Sequence, residues 1–168
     1  MKRKPAYLIY IAILLLMISV AVVPGRAAKD DRASALASQV LIRRDTYGVP
    51  HILADTEEAA AFGMGYAQAE DHPIEIARRL LSARGEEAKY TGAGVENDFF
   101  VKRYGVYETG KKNFDKLSPL FQKILHAYAA GFNRYVERHR KELPDWIPAF
   151  DGYDVLAISF YTSSSLII

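Results

Sequence analysis

The apolar and polar positions fall into a few clear patterns. From Ala6 to Val23 the chain is apolar and uncharged, and Met1-Lys2-Arg3-Lys4 ahead of it is basic. Pro24-Gly25 breaks the run, and Gly25-Arg26-Ala27 places small residues where a signal peptidase needs them. This layout predicts an export signal over 1–27, cleaved after Ala27 or, further on, after Ala35 or Ala37. An uncleaved anchor is the competing reading, because the run is just long enough to span a bilayer as a helix. Residues 28–39 are polar and Ala-rich and are expected to be a flexible linker.

Val40 to Arg44 and His51 to Ala54 are β-prone and flank Asp45-Thr46-Tyr47-Gly48. Asp can bond its own backbone two residues on, and Pro50 pushes Val49 into extended geometry. A β-hairpin, or two strand segments at a sheet edge, follows from this. Asp55-Thr56 before Glu57-Glu58 starts a helix with a cap and an acidic first turn. That helix holds Gly63 and Gly65, each costing about 1 kcal/mol relative to Ala. The cost points to close approach of another backbone. A dinucleotide loop is excluded, since the third glycine and the preceding strand are missing.

Asp71-His72-Pro73 restarts the helix, with Asp71 as N-cap. Ile74, Ala77, Leu80, Leu81, Ala88 and, more loosely, Arg84 follow helical spacing up to Thr91-Gly92. Scattered aromatics predict one short helix near Asp98–Gly105. Ser118-Pro119 opens a long helix whose stripe is Phe121, Ile124, Leu125, Tyr128, Phe132, Tyr135 and Val136. A loop anchored by Trp146 leads to a last apolar helix, Val155 to Ile168. Its uncapped, apolar end is expected to be a polypeptide cut within an element.

Composition narrows the function. The chain has 168 residues, a net charge of +2 and no cysteine. Cysteine nucleophiles and thiolate metal sites are excluded, and so small a charge excess gives no case for nucleic acid. The four histidines do not form a zinc-protease pattern. Glu70, Asp71, His72 and Glu75 are the densest polar cluster, read as a capped helix junction rather than a metal or acid–base site. Arg44 with Asp45, and Arg78 with Arg79, are read as structural charges. Ser163, Ser164 and Ser165 have no base at useful spacing and no nucleophile elbow.

Several motifs occur together in order. They are Arg44-Asp45-Thr46-Tyr47-Gly48-Val49-Pro50-His51-Ile52, and Gly63-Met64-Gly65-Tyr66-Ala67-Gln68-Ala69-Glu70-Asp71. Arg78-Arg79 with Arg84-Gly85-Glu86 follows, then Asp98 with Arg103, then Tyr128-Ala129-Ala130-Gly131-Phe132-Asn133. Over about 40–168 the chain resembles the α subunit of penicillin acylase-type amidases, N-terminal-nucleophile hydrolases. Its wording leans to the acyl-homoserine-lactone and aculeacin acylase branch.

The resemblance implies an α+β, mostly helical fold, the α-subunit part of an αββα N-terminal-nucleophile hydrolase and incomplete without its β subunit. It implies an exported precursor, periplasmic or extracellular, that cuts itself and hydrolyses a linear amide of a small molecule. The nucleophile is the first Ser of the β subunit, so no catalytic residue is expected here. This chain supplies scaffold and acyl-pocket wall. The wall falls on the helix from Asp154 onward, with Ser163, Ser164 and Ile167 as substrate-binding candidates. Trp146 stands farther from Asp154 than in the family, which shifts that register, and a plain core role is the alternative. No cofactor and no metal are expected, and the membrane enters only through the N-terminal segment. The rival readings are a small membrane-anchored periplasmic interaction module and an inactive gene fragment.

Overall fold

The computed structural model describes residues 24–165, and side chains over most of 31–161. The chain divides into two units, Met1–Arg32 and Ala33–Ile168. Most of the first, including the apolar run of the expected signal, lies outside the described residues. Among the described residues no helix is long and apolar enough to cross a membrane.

Helix α1 spans Pro24–Ala37, followed by strands β1 (Val40–Arg44) and β2 (Pro50–Ala54). Then come α2 (Glu57–Asp71), α3 (Pro73–Arg84), the single turn α4 (Glu87–Thr91), α5 (Val95–Tyr104) and α6 (Val106–Asn113). A 3-10 turn at Phe114–Lys116 leads to the long α7 (Pro119–Arg138), and α8 (Gly152–Ser165) closes the described chain. The fold is mostly helical with one small antiparallel sheet, as expected.

Residues 28–39 are not the flexible linker expected from their polarity, because α1 continues to Ala37. Alanine is the best helix former, so its frequency here favours helix over an irregular linker. Help is present too. Leu36 is buried with Ala59, Phe62 and Ala127, and Ala33 and Ala37 pack on the same cluster.

The hairpin is in register as Val40↔Ala54, Leu41↔Leu53, Ile42↔Ile52, Arg43↔His51 and Arg44↔Pro50. Thr56 caps α2 by accepting a hydrogen bond from the Ala59 N–H, and Ser118 caps α7 through the Phe121 N–H. Both caps follow the sequence reading. The expected cap at Asp71 does not form. Asp71 ends α2, its carboxylate turns to Arg44, and α3 starts after His72 with Pro73 in its first turn and no side-chain cap. Proline supplies the helical φ there without needing a donor.

The helix expected to run on to Gly92 stops at Arg84, where Gly85 takes left-handed geometry (φ 66°). The region expected as one short helix holds two, α5 and α6, joined at Gly105. Their aromatics sit on local faces rather than on one stripe, which weakens the periodic signal. The last helix starts at Gly152, three residues ahead of its expected start at Val155.

The paired glycines of α2 serve two neighbours. A Cβ on Gly63 would press on the Val40 and Ile52 side chains of the hairpin. A Cβ on Gly65 would overlap the backbone carbonyl of Tyr128 in α7, and one on Gly131 would overlap that of Phe62 in α2. Helices α2 and α7 therefore cross in near backbone contact. The core beside this crossing holds Ala69, Ala77, Leu80, Leu81, Phe132, Val136, Ile147 and Phe150.

Candidate functional site

Of the three substrate-binding candidates, Ser163 and Ser164 lie on α8, and Ile167 lies outside the described residues. The side chains of Ser163 and Ser164 are also outside them. What is defined is the base from which α8 projects, and it is built from three elements.

Asp154, in the first turn of α8, is completely buried. Arg84 at the end of α3 grips it with two N–H groups, Nε on Oδ1 and Nη2 on Oδ2, the latter at 2.5 Å. Such a forked pair fixes direction as well as distance. Nη2 also donates to the Ala149 carbonyl (3.2 Å), and the guanidinium lies over the Phe150 ring. The Asp151 N–H donates to Asp154 Oδ2 at 2.7 Å, so the same carboxylate caps its own helix.

The electrostatics follow from this geometry. Burial works against the charged Arg84, but hydrogen bonding and the charge of Asp154 more than offset it, holding the guanidinium above its ordinary value. Tyr107 of α6 reaches the same carboxylate. Burial, then the Asp154 charge, push its phenol up to about 12.

Helix α7 holds the other side. His126 Nδ1 is 2.5 Å from Asp151 Oδ1, and the Gly152 N–H donates to the same carboxylate oxygen at 2.6 Å. A Cβ on Gly152 would run into His126, so glycine is what lets α8 begin this close to α7. Asn133 then clasps the Phe150 backbone twice, donating to its carbonyl (2.7 Å) and accepting from its N–H (2.9 Å). Residues 149–154 are thus tied to α3, α6 and α7 before the helix proceeds to Ser163.

The charged groups at the hairpin end of the motifs pair with one another. Arg44 Nη2 is 2.6 Å from Glu70 and 2.8 Å from Asp71, and Nη1 donates to the Gly48 carbonyl at 2.7 Å. The hydrogen bonds of Glu70, then Asp71, hold its guanidinium above the ordinary value. Glu70 and Asp71 therefore clamp the end of α2 to the hairpin, a structural role reached through Arg44 rather than through the expected cap. Asp45 Oδ1 accepts from the Tyr47 and Val49 N–H groups, and Oδ2 meets His51 at 3.2 Å. Among the described residues no three His, Asp or Glu side chains converge as a metal site.

The roles of two buried carboxylates escaped the sequence reading. Glu87 accepts a forked hydrogen bond from Arg78 and one from Ser82. Asp98 accepts from the N–H groups of Glu87 and Ala88, capping α4 from eleven residues away. Arg103 does not pair with Asp98 but lies 6.0 Å from the Phe99 ring centroid. The Arg84–Asp154 pair had one sequence signal: Arg84 falls in the apolar stripe of its helix, where an unpaired charge would be costly.

A family model described as penicillin amidase matches residues 39–166. Acyl-homoserine lactone acylase QuiP of Pseudomonas aeruginosa is 34% identical over 110 residues, which is 65% of this chain and 13% of that protein. Aculeacin-A acylase of Actinoplanes utahensis is 40% identical over 86 residues, 51% of this chain and 11% of that protein. Penicillin acylase 2 proenzyme of a Pseudomonas species is 31% identical over 102 residues, 60% and 13% respectively. The chain thus spans less than a fifth of the length of these relatives. Among solved structures, the thermostable penicillin G acylase from Alcaligenes faecalis superposes with a TM-score of 0.67 at 28% identity, covering 76% of this chain and 73% of that one.

Proposed function

The chain belongs to the penicillin amidase family, and from that premise we propose that it is the N-terminal part of an exported acylase precursor that hydrolyses a linear amide. The acyl group leaves as a carboxylic acid, from an N-acyl-homoserine lactone or the side chain of a β-lactam antibiotic. The nucleophile is the first Ser of a β part that follows in the same precursor. Its own α-amino group takes the proton, and an oxyanion hole on that part holds the tetrahedral intermediate.

This chain contributes scaffold and one wall of the acyl pocket. Ser163 and Ser164, on α8, and Ile167, outside the described residues, are the substrate-binding candidates, and the Arg84–Asp154, His126–Asp151 and Asn133–Phe150 contacts fix the angle at which that helix enters. Export runs through Met1–Ala27, with the basic residues ahead of the apolar run setting the orientation. The observation that carries the reading is the family match over 39–166, joined to a solved acylase that shares the fold of this chain.

The test uses the complete reading frame that contains this chain. Expression in a host with a periplasm is expected to give two processed chains. The product should release free amine from a panel of N-acyl-homoserine lactones and β-lactam side-chain amides. Processing and amine release should vanish together when the Ser at the junction is replaced by Ala. A folded, exported product that converts no member of the panel overturns the reading in favour of an interaction module.

A further inference from the structure

Charge is unevenly divided along the chain. Residues 40–98 carry eleven Asp and Glu against six Lys and Arg. Residues 99–123 reverse the balance, with six Lys and Arg against two Asp and Glu. This stretch runs from within α5 through α6 and the 3-10 turn into the start of α7. Its cations are Lys102, Arg103, Lys111, Lys112, Lys116 and Lys123, and all six are exposed. Among the described residues none of them is in an ion pair, whereas Arg44, Arg78 and Arg84 each hold a carboxylate. Glu108 stands one turn from Lys111 and Lys112, a spacing that allows helix ion pairs, and joins neither.

Apolar side chains stand out among these cations. Phe99 is 64% exposed, Tyr104 65%, Leu120 51% and Phe121 44%. On α5, Phe99, Lys102 and Arg103 fall at i, i+3 and i+4 and share a face. The Arg103 guanidinium lies 6.0 Å from the Phe99 ring centroid. On α7, Leu120 and Lys123 share a face in the same way. Helix α5 passes into α6 at Gly105, and only Leu117 and Ser118 separate the 3-10 turn from α7. Val101, Val106 and Phe114, buried beneath, hold the run to the body of the fold.

A run that is merely solvated pairs its cations with polar neighbours. Phe, Tyr and Leu set among Lys and Arg are instead the composition of segments that lie in the headgroup region of an anionic bilayer. There the cations meet lipid phosphates, and aromatic rings settle at the boundary between headgroups and acyl chains.

We infer that the surface of residues 99–123 docks the protein reversibly on an anionic phospholipid membrane. Leu120 and Phe121 enter the headgroup region with Phe99 and Tyr104, and the six cations face the lipid phosphates. This contact is separate from the N-terminal apolar run. It rests on the export reading above, which places the protein beside a membrane.

The experiment uses the product of the complete reading frame, with Leu120 replaced by an environment-sensitive fluorescent amino acid. The protein is mixed with vesicles of phosphatidylcholine, alone or together with phosphatidylglycerol. Emission should shift to the blue with the anionic vesicles only, and high salt should reverse the shift by screening the attraction. The same probe at the exposed Leu53 of the hairpin should not respond, which separates this surface from attachment through the N-terminal run. No shift at Leu120, an equal shift with neutral vesicles, or an equal response at Leu53 overturns the inference. Retention on immobilised duplex DNA without any vesicle response assigns the surface to nucleic acid and overturns it too. A second arm removes two exposed cations with Lys111→Gln and Lys112→Gln. Each cation beside an anionic membrane is worth a factor of about five in binding, so the lipid needed for half the shift should rise about 25-fold. An unchanged lipid requirement overturns the proposal. Amide hydrolysis, measured on the same preparations without vesicles, keeps the two readings apart. An active acylase whose Leu120 probe stays still loses only the membrane contact. A protein that docks but converts no amide loses the acylase reading and keeps the surface.

Discussion

An ionised carboxylate with no exposed surface is tolerable only while its partners stay in place, and Asp154 is such a group. Removing one member of a buried ion pair costs about 3–5 kcal/mol, because the other charge is left desolvated. Arg84→Met should therefore lower the stability of the protein by that amount, read as a shift in the urea midpoint at unchanged slope. Adding Asp154→Leu removes the stranded charge and should recover part of the loss, though the Asp151 N–H then lacks its acceptor. A single variant as stable as the parent would show that the pair is not formed. Tyr107 reports on the same spot. Its phenol is raised from 10.0 to about 12, so the folded state prefers the neutral form. The stabilisation is complete below pH 10.0 and is lost as pH climbs toward 12. Tyr128 and Tyr135 are raised as well, first of all by burial. The difference between parent and Tyr107→Phe in a phenolate absorbance titration isolates the one residue. A Tyr107 component that titrates near 10 would contradict its placement against Asp154.

At the scale of elements, the sequence is most informative where a local rule is broken at a cost. Two glycines inside α2 are unfavourable unless something needs the space, and the space is taken by the hairpin at Gly63 and by α7 at Gly65. The expected consequence is steep. Overpacking in a well-packed core typically costs about 1–3 kcal/mol, occasionally more, and here the obstacle is backbone, so Gly65→Ala and Gly131→Ala should fall at or beyond the upper end. Gly92→Ala is a control for space alone, since nothing lies near a Cβ there. Its φ of 74° still carries local strain. Thermal unfolding of the three variants decides the matter, and equal losses would deny the close crossing. The hairpin turn responds to pH instead. The His51 hydrogen bond, then the Val49 N–H, hold the Asp45 carboxyl below its ordinary 3.8. The turn therefore keeps its support above pH 3.8 and loses it as pH falls through the lower folded value. The Tyr47 and Val49 amide resonances should move together in that window, and should stay still in Asp45→Asn. What the sequence hid at this scale was long-range pairing. Asp71 looked like a cap because Pro73 follows, but Arg44, far back in the chain, holds its carboxylate. Asp98 caps α4 across a turn in which Gly92 and Gly94 take left-handed φ. Local propensity carries no information about either partner.

For the molecule as a whole, the longer helices α2, α3 and α7, the hairpin and the family motifs were legible, because amphipathic stripes, caps and turn residues are local patterns. The candidate site was legible only in part. Ser163 and Ser164 mark where α8 leads, while the features that aim the helix, Arg84 with Asp154, His126 with Asp151 and Asn133 with Phe150, join residues far apart in sequence. This arrangement makes one strong prediction about specificity. If the base of α8 were loose, a larger side chain at Ser163 could be absorbed by tilting the helix. With residues 149–154 tied to three elements, the bulk goes, on the proposed reading, into the acyl pocket. Ser163→Phe in the full-length enzyme should therefore discriminate by acyl length. A lost methylene-sized contact in an apolar pocket is worth about 1–3 kcal/mol, or 10–200-fold in kcat/KM. The ratio of long-chain to short-chain kcat/KM should drop by at least the lower of these factors, while hydrolysis of the shortest acyl amides is kept. Combining Ser163→Phe with Arg84→Met frees the base and should restore part of the long-chain activity. A length profile unchanged by Ser163→Phe would remove α8 from the pocket wall. A changed profile that Arg84→Met does not relax would leave α8 in the wall but deny that the ion pair sets its angle.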